Sequence, residues 1–175
     1  MTEPFVAKDG REVPLKAVGR RYVEQIYAKH PLPDKPTYAV TLVGGATQEF
    51  PHDETTLNTP EDRKTWALYE SRVAEVIGER MQELMKFLIC VCIDLDPTPV
   101  EEWAVDLTAW GLTTPDTEDK REYKVFWFEN ELLPDIDDQA ALISRLYQMA
   151  GVIAEGRVKA LEEFFRSTMA RLASG

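Results

Sequence analysis

The stretch TPEDRKTWALYESRVAEVIGERMQELMKFLICVCI, residues 59–93, decides the fold class. It opens on Thr59-Pro60-Glu61-Asp62. A threonine before the first turn offers its oxygen to a free backbone N–H. Proline at the first helical position gives up an N–H that would be unpaired there anyway. Acids in the first turn complement the positive end of the helix dipole. Beyond this start, Trp66, Tyr69, Val73, Ile77, Met81, Leu84, Leu88 and Cys92 recur at gaps of three or four. Glu70, Arg72, Glu75, Glu79, Arg80 and Glu83 fall between them as a solvated face. The spacing predicts one amphipathic helix from about Pro60 to Ile93, about 50 Å long. Asp94-Leu95-Asp96-Pro97 ends it.

The same start occurs twice more, at Thr98-Pro99-Val100-Glu101 and at Thr114-Pro115-Asp116-Thr117-Glu118. The intervening segments differ in length and pattern, so this is shared capping chemistry and not an internal repeat. A short helix is expected from Pro99 to Trp110, closed by Gly111. Another is expected from Pro115 to about Leu133, although Tyr123-Lys124-Val125-Phe126-Trp127-Phe128 has the composition of a buried strand. Pro134-Asp135-Ile136-Asp137-Asp138 breaks the chain and caps a last helix running to about Ala173. Leu142, Leu146, Met149, Ile153, Ala160, Phe164, Thr168 and Leu172 line one side of it. Arg157 interrupts that stripe, and Gly151 and Gly156 weaken the helix or mark close packing.

Upstream, the chain changes character. Six of its 11 prolines fall in residues 1–51. Asp9-Gly10 sits between short β-prone runs and signals a hairpin. Leu15 to Lys29 reads as a short amphipathic helix through Val18, Tyr22 and Ile26, weakened by Gly19. His30 to Pro36 is an extended linker, because its prolines remove donors and fix the backbone. Thr37–Val43 and Thr47–Phe50 flank Gly44-Gly45 as a second hairpin. Such a hairpin is marginal alone and must pack on the helices or on another molecule. The expectation is a mainly α fold: a helical bundle with two long helices and a small N-terminal β-hairpin region. Its parts would be residues 1–57, the arm and hairpin region, and residues 58–175, the helical domain.

The chain has 175 residues, 44% hydrophobic and 29% charged, the balance of a globular domain. Acidic residues outnumber basic ones 31 to 20, a net charge of −11. That charge disfavours nucleic acid and anionic membranes as partners. The longest apolar run, Phe87 to Ile93, is far shorter than the roughly 20 residues of a membrane span. Met1-Thr2-Glu3-Pro4-Phe5 carries no basic and apolar signal pattern, so no secretory leader is expected. Cys90 and Cys92 are too few for a disulfide framework and read as small buried thiols of a reducing cytosol.

Chemistry-bearing motifs are scarce. Gly44-Gly45 lacks the lysine and following helix of a phosphate loop. With only His30 and His52, a zinc site would draw on the cysteines or on acids such as Asp53 and Glu54. The setting of Asp53 reads instead as a turn or cap in which its side chain bonds local backbone. Ser71, Ser144, Ser167 and Ser174 lack any nucleophile elbow, and the pairs Glu101/Glu102 and Glu162/Glu163 are ordinary helix surface. The expectation is no catalytic residue, no metal site, no cofactor and no enzyme activity. Trp103, Trp110, Phe126, Trp127 and Phe128 cluster within residues 103–128. Side chains of this kind anchor cores and also interfaces. The interface reading makes these five the partner-binding candidates. The long apolar stripes pose the same choice, pairing within one bundle or staying open for a partner helix.

Pro33-Asp34-Lys35-Pro36-Thr37-Tyr38, the Gly44-Gly45 turn, Pro51 to Asp62 and Trp66 resemble small proteins encoded near the tail genes of long-tailed bacteriophages. The resemblance is to tail assembly chaperones, the class made just before the tape-measure protein, and spans about a quarter of the chain. It implies a helical, non-enzymatic protein that coats the tape-measure protein and keeps it soluble until the tail tube polymerises. It further implies action in the host cytoplasm, self-association, and absence from the finished virion. The alternative is a structural virion protein, a neck, tail or head-completion component, bonded to its neighbours through the arm and hairpin by strand addition.

Overall fold

A computed structural model of the chain describes residues 2–99 and 118–152. The fold is mainly α, with two small antiparallel sheets. It divides into two compact units, residues 1–25 with 83–175, and residues 26–82. The expected boundary at 57/58 falls inside the second of these.

The first unit opens with β1 (Phe5–Val6) and β2 (Glu12–Val13), paired antiparallel. Gly10 turns the chain with φ 85°, a left-handed conformation that costs glycine nothing. Asp9 Oδ1 accepts the Arg11 N–H at 2.9 Å and closes the turn. The chain then runs alongside the end of a long helix, α2 (Pro60–Cys92). Leu15 pairs with Ile93, the Lys16 N–H donates to Cys92 O at 2.7 Å, and the Asp94 N–H donates to Pro14 O at 2.9 Å. Backbone carbonyls that a helix end leaves unpaired are thereby met by an extended strand. Lys124 adds to this, its Nζ donating to Ile93 O at 2.7 Å.

Next comes α3 (Lys120–Trp127), capped by Asp119, whose carboxylate accepts the Arg121 and Glu122 N–H groups. The helix therefore begins later than Pro115, and the strand-like composition of residues 123–128 gives way to helix because a capped turn nucleates it. It widens into a π-helical turn, Phe128–Leu132. The final described helix is α4 (Ile136–Met149), capped by Asp135 as expected. Its N-terminus is clipped to the arm. Lys8 Nζ donates to Asp135 and Asp137 at 2.9 Å each, and the Lys8 N–H donates to the buried Asp138 carboxylate.

The last helix does not continue unbroken to Ala173. The Gly151 N–H donates to Gln148 O and the Val152 N–H to Tyr147 O, with Gly151 at φ 69°. This is a Schellman closure, in which a left-handed glycine meets the final carbonyls. Among the described residues α2 is the one long helix. The helices expected at Pro99–Trp110 and beyond residue 152 lie outside the described residues.

The core of the first unit is formed by Val13, Leu15, Leu84, Leu88, Ile89, Cys92 and Ile93, by Trp127, Phe128, Leu132 and Leu133, and by Leu142, Ile143, Leu146 and Tyr147. Each fully buried leucine contributes about 2 kcal/mol. Buried positions surround α4 almost entirely, including Gln139 and Ser144, which marks it as the central element.

The second unit contains β3 (Thr37–Thr41) and β4 (Thr47–Pro51), paired antiparallel around Gly44 and Gly45 at φ 115° and 84°. Both hairpins stand where the sequence places them. α1 (Arg20–Lys29) starts directly after Gly19, later than expected, because glycine before a helix resists helical backbone.

Candidate partner-binding face

The N-terminus of α2 is held by a reciprocal cap. Thr59 Oγ1 accepts the Asp62 N–H at 3.1 Å, and Asp62 Oδ2 accepts the Thr59 N–H at 2.9 Å. The expected role of Thr59 stands, and Asp62 adds a second bond to the dipole effect. From this start the stripe Trp66, Tyr69, Val73 and Val76 runs down one side, half-buried, with Ile77 exposed beside it. Trp66 and Tyr69 lie ring to ring at 5.2 Å. The buried residues of α2 are Leu84, Leu88, Ile89 and Cys92, all in its last third.

The unit spanning residues 26–82 buries only Ile26 and His52. A unit of this size ordinarily covers most of its apolar side chains, because that burial must offset the entropy of ordering the chain. Here the aromatic and β-branched stripe stays at a surface. Its free ends are tied down by polar contacts: Arg80 Nε donates to His30 O at 2.6 Å and stacks over the Tyr27 ring at 5.2 Å, and His30 Nδ1 lies 3.2 Å from Glu79.

His52 joins the hairpin to the start of α2. Its N–H donates to Pro36 O at 2.8 Å, its ring lies 4.9 Å from that of Tyr38, and Nδ1 is 3.2 Å from Thr56 Oγ1. Nε2 is 3.8 Å from Asp62 Oδ1. The histidine, hydroxyl and carboxylate do not make an activated nucleophile. Thr56 Oγ1 donates its proton to Asp53 O and accepts the Asp53 N–H, each at 2.9 Å, so the hydroxyl is consumed by the turn. Asp53 caps that turn as expected, accepting the Thr55 and Thr56 N–H groups. Hydrogen bonds from Thr55 and Thr56 hold its carboxyl below the usual range.

The aromatic candidates separate. Trp127 and Phe128 are 4% and 0% exposed. The Trp127 indole Nε1 donates to Thr98 Oγ1 at 3.2 Å. These two lie in the interior of the first unit, the core alternative of the two the sequence leaves open. Trp127 ends α3 and Phe128 opens the π-helical turn, and both are buried, where a large ring contributes most. Phe126 is half-buried. Trp103 and Trp110 lie outside the described residues. The apolar stripe of α2 passes to the foreground instead, with burial beginning at Leu84.

A groove in the first unit is lined by Pro4, Glu12, Pro14, Leu15, Lys16 and Asp94 among others. Lys16 and Asp94 neutralise each other at 2.5 Å. Burial pushes the Cys92 thiol up to about 11 and raises Cys90 as well, so neither is an activated nucleophile. No described helix is long and apolar enough to cross a membrane. Comparisons of the chain with protein-family models, curated proteins and solved structures return no match.

Proposed function

We propose that this chain is a non-enzymatic assembly chaperone that grips a helical client, of the kind that keeps a phage tape-measure protein soluble before the tail tube polymerises. One observation carries the reading: the capped, 33-residue α2 leaves Trp66, Tyr69, Val73 and Val76 only half-covered and Ile77 exposed. An amphipathic client helix laid against this stripe removes apolar surface from water on both partners. The stripe has the gaps of three and four that such a helix presents in return. A net charge of −11 keeps the loaded complex dispersed by mutual repulsion. The stripe contains no charged group that a reaction would use.

The test is co-expression with a tape-measure protein followed by size-exclusion chromatography. The client should co-elute with the chain, and Val73→Glu, a charge placed mid-stripe, should abolish co-elution while leaving the helical circular dichroism intact. A client equally soluble without this chain would sink the proposal. A permanent structural role in the virion is the second reading, and the open strand edge described next favours it; detection of the chain in purified particles by mass spectrometry would decide for it.

A further inference from the structure

The two edges of the β3–β4 hairpin are not equivalent. The register pairs Tyr38 with Phe50 and Val40 with Gln48. The Leu42 N–H donates to Ala46 O at 2.7 Å and the His52 N–H to Pro36 O at 2.8 Å. Even-numbered residues of β3 therefore turn their backbone groups toward β4. Thr37, Ala39 and Thr41 turn theirs outward, as antiparallel geometry requires. On β4 the outward positions are Thr47, Glu49 and Pro51. Pro51 has no N–H and Glu49 carries a charge, two devices that blunt an edge. β3 has neither device: no proline and no charge interrupts Thr37 to Val43. Thr37, Ala39 and Thr41 are exposed, and none makes a further backbone hydrogen bond among the described residues.

We propose that this edge pairs antiparallel with the same edge of a second copy of the chain, about a two-fold axis at Ala39, to form a four-stranded sheet. The sequence is its own complement in that register. Ala39 faces Ala39, Thr37 faces Thr41, and Tyr38 faces Val40 of the second copy. Threonine pairs and aromatic–β-branched pairs are among the favourable cross-strand neighbours. No like charges meet, whereas β4 pairing with itself about its midpoint would set Glu49 against Glu49. The half-buried face of Tyr38, Val40 and Phe50 becomes continuous across the axis. Tyr38 and Phe50 already lie 6.1 Å apart ring to ring. A hairpin of two strands is marginal in water, and four strands with one apolar face are not. In a unit that buries only Ile26 and His52, that gain supplies the missing burial. The pairing does not draw on the client-binding reading, whose face lies on α2.

The experiment is sedimentation velocity of the full chain across the micromolar range. A reversible dimer is expected. Ala39→Pro removes the central outward N–H without touching a β3–β4 hydrogen bond, and should raise the dissociation constant by about tenfold or more. Glu49→Pro makes the same change on the outer edge of β4 and should leave the dimer intact. Ala39→Cys should give an oxidised dimer linked 39 to 39, mapped by peptide mass spectrometry, because the paired Cα atoms would stand about 5.5 Å apart, within disulfide reach. If Ala39→Pro unfolds the hairpin, the cysteine link alone decides. A monomer throughout the range overturns the proposal. So does a dimer without the 39–39 link, or an edge that accepts a strand only from a different polypeptide.

Discussion

The side-chain amide of Gln139 donates to the Leu133 carbonyl at 2.6 Å and, with its second proton, to the Glu129 carbonyl at 2.7 Å. The π-helical turn Phe128–Leu132 alters the ordinary hydrogen-bond ladder. Gln139, 6% exposed on α4, meets the carbonyls at both ends of that disruption. Replacing it by leucine should leave the buried Leu133 carbonyl without this donor at a cost of about 2 kcal/mol. Urea unfolding monitored by circular dichroism would show the lowered midpoint.

Acid should unfold the protein through its caps. Hydrogen bonds hold four carboxyls below their usual 3.8: those from Thr55 to Asp53, from Thr59 to Asp62, from the Arg121 N–H to Asp119, and from the Lys8 ammonium to Asp135. A depressed native value means the unfolded chain takes up the proton first. The stabilisation is therefore complete above 3.8 and is lost as the pH falls through the depressed values. Lys8, raised by the same Asp137 and Asp135 bonds, acts in the opposite sense: its contribution is full below 10.5 and lost as the pH rises through its native value. Unfolding midpoints measured across the pH range should fall at both ends, and Lys8→Met should lessen the alkaline loss, to which the raised Cys92 thiol also contributes.

Two glycines should respond oppositely to alanine. Gly78 is exposed within α2, and a Cβ there meets nothing within 4 Å. Gly78→Ala should stabilise the chain by about 1 kcal/mol through helix propensity. Gly151 also has open space for a Cβ, but its φ is 69°. Gly151→Ala should destabilise by about 1 kcal/mol from backbone strain alone. Thermal unfolding of both variants gives the two signs.

The cysteines should report opening of the first unit. Cys92 is 0% exposed with its thiol raised to about 11, while Cys90 is half-buried. At pH 8 an aromatic disulfide reagent should modify Cys90 slowly. Cys92 should react only at the rate of unfolding, and added urea should accelerate it in step with loss of circular dichroism.

Removing the cap with Thr59→Ala should cost about 1 kcal/mol, since the Asp62 N–H loses its acceptor. Hydrogen exchange should rise most over the first turns of α2 and leave residues 84–92 protected.

Local chemistry determined much of this protein. Thr59-Pro60-Glu61-Asp62 and the stripe behind it set α2 to within a residue of its observed end, because caps and periodicity act over a few positions. Asp9-Gly10 and Gly44-Gly45 set both hairpins for the same reason, and Asp135 set the start of α4. Contacts between distant segments decided the rest. Lys8 reaches Asp135 across 127 positions, and no local pattern announces that clip. Trp127 and Phe128 carry the same composition whether they anchor a core or a partner; only the placement of α3 against the buried end of α2 sent them inward. The stripe on α2 reads as uniform along its length, yet burial begins at Leu84, because covering a face depends on what else folds beside it.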